Sequence, residues 1–109
     1  MTRIFLYGLS AVCLSLLSGC QTSPQSAFPT AQAVVGVTQG GDVSALERGR
    51  KIFTTSCTEC HVARPVANYS VAQWRHYVGI MAPRAGLAPR DRAALETYLI
   101  AARKSLPPG

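Results

Sequence analysis

With 109 residues the chain has room for one domain, and whatever remains after a targeting segment is smaller still. A core of that size buries little apolar surface and needs a disulfide, a metal or another staple to hold one structure. Eleven basic against five acidic residues give a net charge of +6, but the Arg residues are scattered, which argues against nucleic acid as a partner. No paired carboxylates, base-activated nucleophile or phosphate-cradling loop supports hydrolytic or transferase catalysis.

Residues 1–19 read as a secretory signal peptide. Arg3 supplies the positive start, and the apolar run from Ile4 to Leu17 falls short of the roughly 20 residues that a membrane span requires. The end of this segment, Leu17-Ser18-Gly19-Cys20, resembles the bacterial lipoprotein signal. That resemblance implies cleavage before Cys20, lipid on its thiol, and export to a membrane facing the periplasm. Gln21 in place of Asp points to the outer membrane by the same analogy. Loss of Arg3 leaves ten basic and five acidic residues, a net of +5. Residues 20–43, with Ser23-Pro24, Phe28-Pro29-Thr30 and Gly40-Gly41-Asp42, show no apolar period and almost no charge, and predict a lipidated N-terminus followed by a flexible linker. The folded domain is expected over 44–109.

Ser44-Ala45-Leu46-Glu47 fits a capping box and predicts a helix over about 45–56, with Gly49, Phe53 and Cys57 on one face. A Gly inside a helix weakens it unless another backbone must approach closely. A second capping box, Ser70-Val71-Ala72-Gln73, opens a segment in which Trp74, Tyr77, Val78 and Met81 fall at i, i+3, i+4 and i+7. Pro83 is expected to stop that helix, with Gly86 in the loop that follows. The last helix is predicted to begin near Pro89, with Asp91 in its first turn, Leu95, Tyr98, Leu99 and Ala102 on one face, and Arg103 and Lys104 at its negative end. Three helices without a strand pattern or hairpin dipeptide predict an all-α fold.

Of the four cysteines, Cys13 lies inside the signal and Cys20 is the lipid acceptor, so Cys57 and Cys60 remain and no disulfide framework is predicted. In Cys57-Thr58-Glu59-Cys60-His61, two thiols two residues apart suit the two vinyl groups of haem, and the adjacent imidazole suits its iron. This is the c-type haem attachment pattern. A structural zinc site needs four ligands, and beyond this motif only His76 is available, at a foreign spacing. A thioredoxin-like pair needs a strand before it.

The phrase Gly49-Arg50-Lys51-Ile52-Phe53-Thr54-Thr55-Ser56-Cys57, the haem motif and the ending Leu95-Glu96-Thr97-Tyr98-Leu99 together resemble the class I cytochrome c family, over about residues 44–104. The resemblance implies a small all-α fold of about three helices around one covalent haem c. It implies that Gly49 and Phe53 meet Tyr98 and Leu99 where the first and last helices cross, and that Pro65 offers its carbonyl to the His61 ring. It also implies electron transfer between redox proteins rather than catalysis. Two haem propionates would lower the net charge to about +3, a mildly basic surface able to steer an acidic partner. A monomer is expected.

With His61 as one axial ligand, the sixth iron position decides between electron transfer and small-ligand binding. At 100° per residue Met81 lies about 20° from Trp74 and His76 about 200° away, so Met81 points with the apolar stripe and His76 towards solvent. Met81 is the candidate, although 20 residues from His61 is short for the resembling family. An open sixth site would make the chain a gas-binding or sensing lipoprotein, and a third possibility is an accessory subunit of a larger oxidoreductase. Trp74 and Tyr77 are expected in the pocket wall. Arg64, Arg75 and Arg84 are candidates for pairing with propionates, weighed against ordinary solvated charge.

Overall fold

A computed structural model describes residues 27–38 and 41–108, which contain four helices, three short 3-10 turns and no strand. In chain order the helices are α1, Ala31–Val34; α2, Val43–Thr54; α3, Val71–Arg84; and α4, Pro89–Ser105. Residues 1–19, read as a signal peptide, the expected lipid acceptor Cys20 and Gln21 lie outside the described residues.

Helix α2 begins two residues before the expected start, because Asp42 rather than Ser44 is its cap. The Asp42 carboxylate accepts from the Ser44 amide at 2.9 Å and from the Ser44 hydroxyl at 2.7 Å. These two donors hold the Asp42 carboxyl below the usual carboxylate range. Helix α3 opens on the expected capping box: Ser70 accepts from the Gln73 amide at 3.2 Å and its own amide donates to the Gln73 side chain at 2.8 Å. Pro83 does not stop α3 but sits one residue before its end. Its missing N–H removes a single bond in the final turn, so the helix tolerates it there. Termination comes instead from Gly86, whose φ of +68° lets its amide reach the Pro83 carbonyl at 3.1 Å and the Leu87 amide reach the Ala82 carbonyl at 3.0 Å. Helix α4 follows the expected pattern, with Pro89 in its first turn and Arg103 and Lys104 in its last.

Helices α2 and α4 cross at Gly49. A Cβ added there would collide with the Ala94 carbonyl oxygen and stand 2.6 Å from Tyr98 Cβ. The Gly is therefore a packing requirement, and one that backbone atoms cannot relieve by rotating a side chain. Gly49→Ala is expected to cost about 3 kcal/mol, the upper end for overpacking, read as a lower urea midpoint at unchanged slope. Phe53, one turn on, stacks at a tilt on Tyr98 with ring centroids 6.3 Å apart and meets Trp74 edge-on at 5.5 Å. Leu46, Leu95, Leu99 and Ala102 complete this buried centre.

The linker expected over 20–43 does not extend across residues 27–38. Ala31 and Val34 are buried, Phe28 meets Phe53 edge-on at 5.7 Å, and the Pro29 carbonyl accepts from the Tyr98 hydroxyl at 2.9 Å. The Ala27 carbonyl accepts from the Val66 amide at 3.1 Å, and Arg50 Nε donates to the Phe28 carbonyl at 3.3 Å. Apolar residues in this arm complete a core that three helices alone leave open.

Burial pushes the Tyr98 phenol up to about 12. A raised phenol favours the neutral, folded form. Its contribution is complete below pH 10, the unfolded value, and is lost as pH rises from 10 towards 12. Stability is expected to fall across that alkaline window, and Tyr98→Phe to flatten the fall while removing about 1 kcal/mol at neutral pH with the lost bond to Pro29. Urea titrations of both proteins from pH 8 upward check this.

Candidate functional site

Downstream of α2 the chain makes one 3-10 turn, Ser56–Thr58, then an irregular stretch to a second turn at Val66–Asn68 before α3. This stretch carries Cys57, Cys60 and His61. It is anchored at its far end by Val66, which is fully buried and whose carbonyl accepts from the Trp74 indole N–H at 2.9 Å. The indole would otherwise be an unsatisfied buried donor, so the bond fixes both the ring and the loop. Tyr69 is held on the other side, its carbonyl accepting from Arg103 Nε at 3.0 Å.

These elements enclose an open-sided cavity of about 790 Å³ between the loop, α3 and α4. Its walls are Phe53 from α2, Tyr69 before α3, Trp74, Tyr77 and Val78 on α3, and Leu95 and Leu99 on α4. The loop contributes Cys57, His61, Val62, Ala63, Arg64, Pro65 and Asn68, and α3 contributes Met81. A mostly apolar concavity with a few convergent polar groups, within the usual range of about 300–1,000 Å³, is the form of a small-molecule or cofactor site.

The sequence-predicted residues divide cleanly. Cys57, His61 and Met81 all line this one cavity although they come from the loop and from a separate helix. Cys60 is exposed and does not line it, and the two thiols are not joined in a disulfide. His76 is exposed on the opposite side of the α3 stripe and is absent from the lining, as its angular position predicts. Met81 is 38% exposed, at the rim rather than in the core. Trp74 and Tyr77 take their expected places in the wall. Gly49 and Phe53 meet Tyr98 as expected.

Two expected supporting roles fall out differently. The carbonyl at His61 Nδ1 is that of Val62, 2.9 Å away, whereas the Pro65 carbonyl accepts from the Asn68 amide at 3.1 Å. With a proton on Nδ1, the ring donates to Val62 and leaves the Nε2 lone pair for a metal. Of the three Arg candidates only Arg64 lines the cavity, where it is the sole charged side chain; Arg75 pairs with Glu96 at 3.6 Å.

Tyr69 and Asn68 have no place in the sequence-based expectations. Tyr69 had a detectable signal, because it immediately precedes the Ser70 cap and packs on Trp74, four residues into the helix, with ring centroids 5.1 Å apart. That is the hydrophobic staple which accompanies such caps. Tyr77 meets Tyr69 edge-on at 4.9 Å and lies 6.4 Å from Trp74, so the three aromatics form one continuous wall.

Burial pushes the Cys57 thiol up. A protonated thiol beyond a helix C-terminus is a poor nucleophile, unlike the low-pKa cysteine at a helix N-terminus used in thiol–disulfide exchange. No group of three or more His, Cys, Asp or Glu side chains converges among the described residues, so a site built of protein ligands alone finds no support there. A macrocycle that brings its own four equatorial nitrogens needs less. It needs thiols at one edge, an imidazole, a soft axial donor, apolar faces and a cation for its carboxylates. Cys57, His61, Met81, the aromatic wall and Arg64 bring one thiol and the other members of that set to the cavity, a donor chemistry that suits haem, while Cys60 stands outside it. No protein-family model, curated protein or solved structure matches the chain.

Proposed function

We propose that the chain is a membrane-tethered monohaem c-type cytochrome, of cytochrome c-like fold, that passes electrons between redox proteins in the bacterial periplasm. The observation that carries this reading is that Cys57, His61 and Met81, separated along the sequence, line one apolar cavity. Haem bound there would supply an iron that takes up and returns one electron.

The chain's own residues define the rest. Cys57 and Cys60 would hold the group through two thioether bonds, and His61 would offer Nε2, oriented by its Nδ1 bond to the Val62 carbonyl. Met81 would offer its thioether from α3. Phe53, Trp74, Leu95 and Leu99 keep water from one region of the cavity, and their fixed packing limits rearrangement when charge changes. Arg64 offsets carboxylate charge. Lipid on Cys20 keeps the domain at a membrane, with the outer membrane favoured, and the protein acts as a monomeric carrier rather than an enzyme.

A second reading, a gas-binding haem lipoprotein, is favoured by one observation: Met81 is partly exposed at the rim, a weaker placement than a buried ligand would have. Carbon monoxide added to the reduced protein separates the two. Slow or absent binding supports the carrier with Met81 as ligand, and rapid, complete binding supports the sensor.

A further inference from the structure

Three successive carbonyls of the arm accept hydrogen bonds from three different parts of the domain. Ala27 accepts from the Val66 amide at the end of the site loop, Phe28 from Arg50 Nε on α2, and Pro29 from the Tyr98 hydroxyl on α4. Residues 27–29 therefore tie the loop to both helices. Over residues 60–65 the loop backbone bonds to none of α2, α3 and α4 among the described residues, so Val66 is where the chain beyond the Cys57 turn is next held. Val66 is fully buried and gripped from two sides, its amide by the arm and its carbonyl by the Trp74 indole at 2.9 Å. A buried amide that loses its acceptor is costly, so arm and loop hold or open together.

The Phe28 ring adds a second support. It does not line the cavity, but it meets Phe53 edge-on at 5.7 Å, and Phe53 meets Trp74 edge-on at 5.5 Å; both of these rings do line it. We propose that residues 27–29 are a clasp that positions the loop carrying His61, with Phe28 as a positioning residue for the site. This deepens the haem reading and rests on it for the identity of the group. With the clasp closed, the Val66 end of the loop and the Phe53–Trp74 wall are fixed, and water is kept from that side of the cavity. Burial of the iron's surroundings is one of the levers on its potential, so the clasp acts on electron transfer without touching the group.

The test uses the full exported chain, its haem established by mass, as parent, Phe28→Ala, Phe28→Leu and Ala93→Gly. The last is an exposed change within α4 that costs helix stability away from the clasp. Hydrogen exchange of the reduced protein gives the ratio of the Val66 to the Leu99 amide rate, and voltammetry gives the reduction potential. In Phe28→Ala that ratio is expected to rise about tenfold, by local opening of the loop, and the potential to fall as water enters the cavity. Phe28→Leu should restore most of both, because it returns an apolar side chain of similar size. Ala93→Gly should lower the urea midpoint and leave both unchanged. If Phe28→Ala does not accumulate, Arg50→Met, which removes the bond to the Phe28 carbonyl and keeps the aliphatic stem, is expected to move both in the same direction by less. A ratio and potential unmoved by the clasp variants, or moved equally by Ala93→Gly, overturn the inference and leave the haem reading intact. A parent chain without haem overturns that reading and the inference with it.

Discussion

An exported variant carrying Ser at both Cys57 and Cys60 is expected to hold no covalent haem and to lose most of its helical circular dichroism at room temperature. The reason is the domain's small size. About 80 residues form the described domain, and domains this small seldom hold more than about 3–5 kcal/mol from their core alone. Here the core is shared with the site: Phe53, Trp74, Val78, Leu95 and Leu99 are buried residues that also line the cavity. The protein itself already buries these side chains, and a bound haem would add the partly exposed lining, Tyr69, Tyr77 and Met81, to the core, at about 1.5–3 kcal/mol for a side chain fully removed from water. Releasing it is expected to remove about 5 kcal/mol, comparable with the whole stability of the domain. Cys60→Ser alone should be milder, since Cys60 is exposed and the lining Cys57 retains one attachment. A double variant that melts like the parent would show that the two thiols hold no staple.

The second large effect belongs to Met81. Met81→Ala is expected to abolish the thioether–iron spectroscopic signature and to lower the reduction potential by on the order of 0.1 V, within the roughly 0.8 V that axial ligands span. The side chain sits at the cavity rim on an otherwise intact helix, so its truncation removes a donor without a buried hole, and stability should change by under about 1 kcal/mol. His76→Ala serves as the control. His76 is exposed and lies outside the cavity, its ring centroid 5.7 Å from that of Tyr77, so neither spectrum nor potential should move. If the signature survives in Met81→Ala and vanishes in His76→Ala, the axial assignment is reversed.

Much of the helical frame was legible because it rests on local chemistry. The Ser70–Gln73 capping box and the Leu95, Tyr98, Leu99, Ala102 face follow from spacing within two or three turns and are found, and the close approach at Gly49, which the family resemblance implied, is found as well. The start of α2 differs from the expected one for an equally local reason: Asp42 and Ser44 are both good caps, and Asp42 recruits Ser44 as a donor instead of competing with it. Pro83 does not end α3 because a proline in a final turn forfeits little. The arm was illegible on different grounds. Its contacts join Pro29 to Tyr98 and Phe28 to Phe53 across long stretches of chain, and a four-residue helix such as α1 is too short to display an apolar period.

At the site, the sequence revealed the donors but not the enclosure. Cys57, His61 and Met81 are recognisable by residue type and helical angle, whereas Val62, Ala63 and Asn68 line the cavity from irregular backbone that carries no periodic signal. Pro65 shows the limit of analogy. Its carbonyl is engaged by Asn68, so the orienting acceptor for His61 comes from the neighbouring residue, Val62.

The central claim is covalent attachment of haem at Cys57 and Cys60, and mass spectrometry of a tryptic digest tests it most directly. The full chain should be exported by a bacterium that assembles c-type cytochromes. The account requires the peptide running from Ile52 to Arg75, uncut between Arg64 and Pro65, to carry one haem and no alkylatable thiol. The same peptide recovered without haem, with both cysteines free to alkylate or joined to each other, would contradict it.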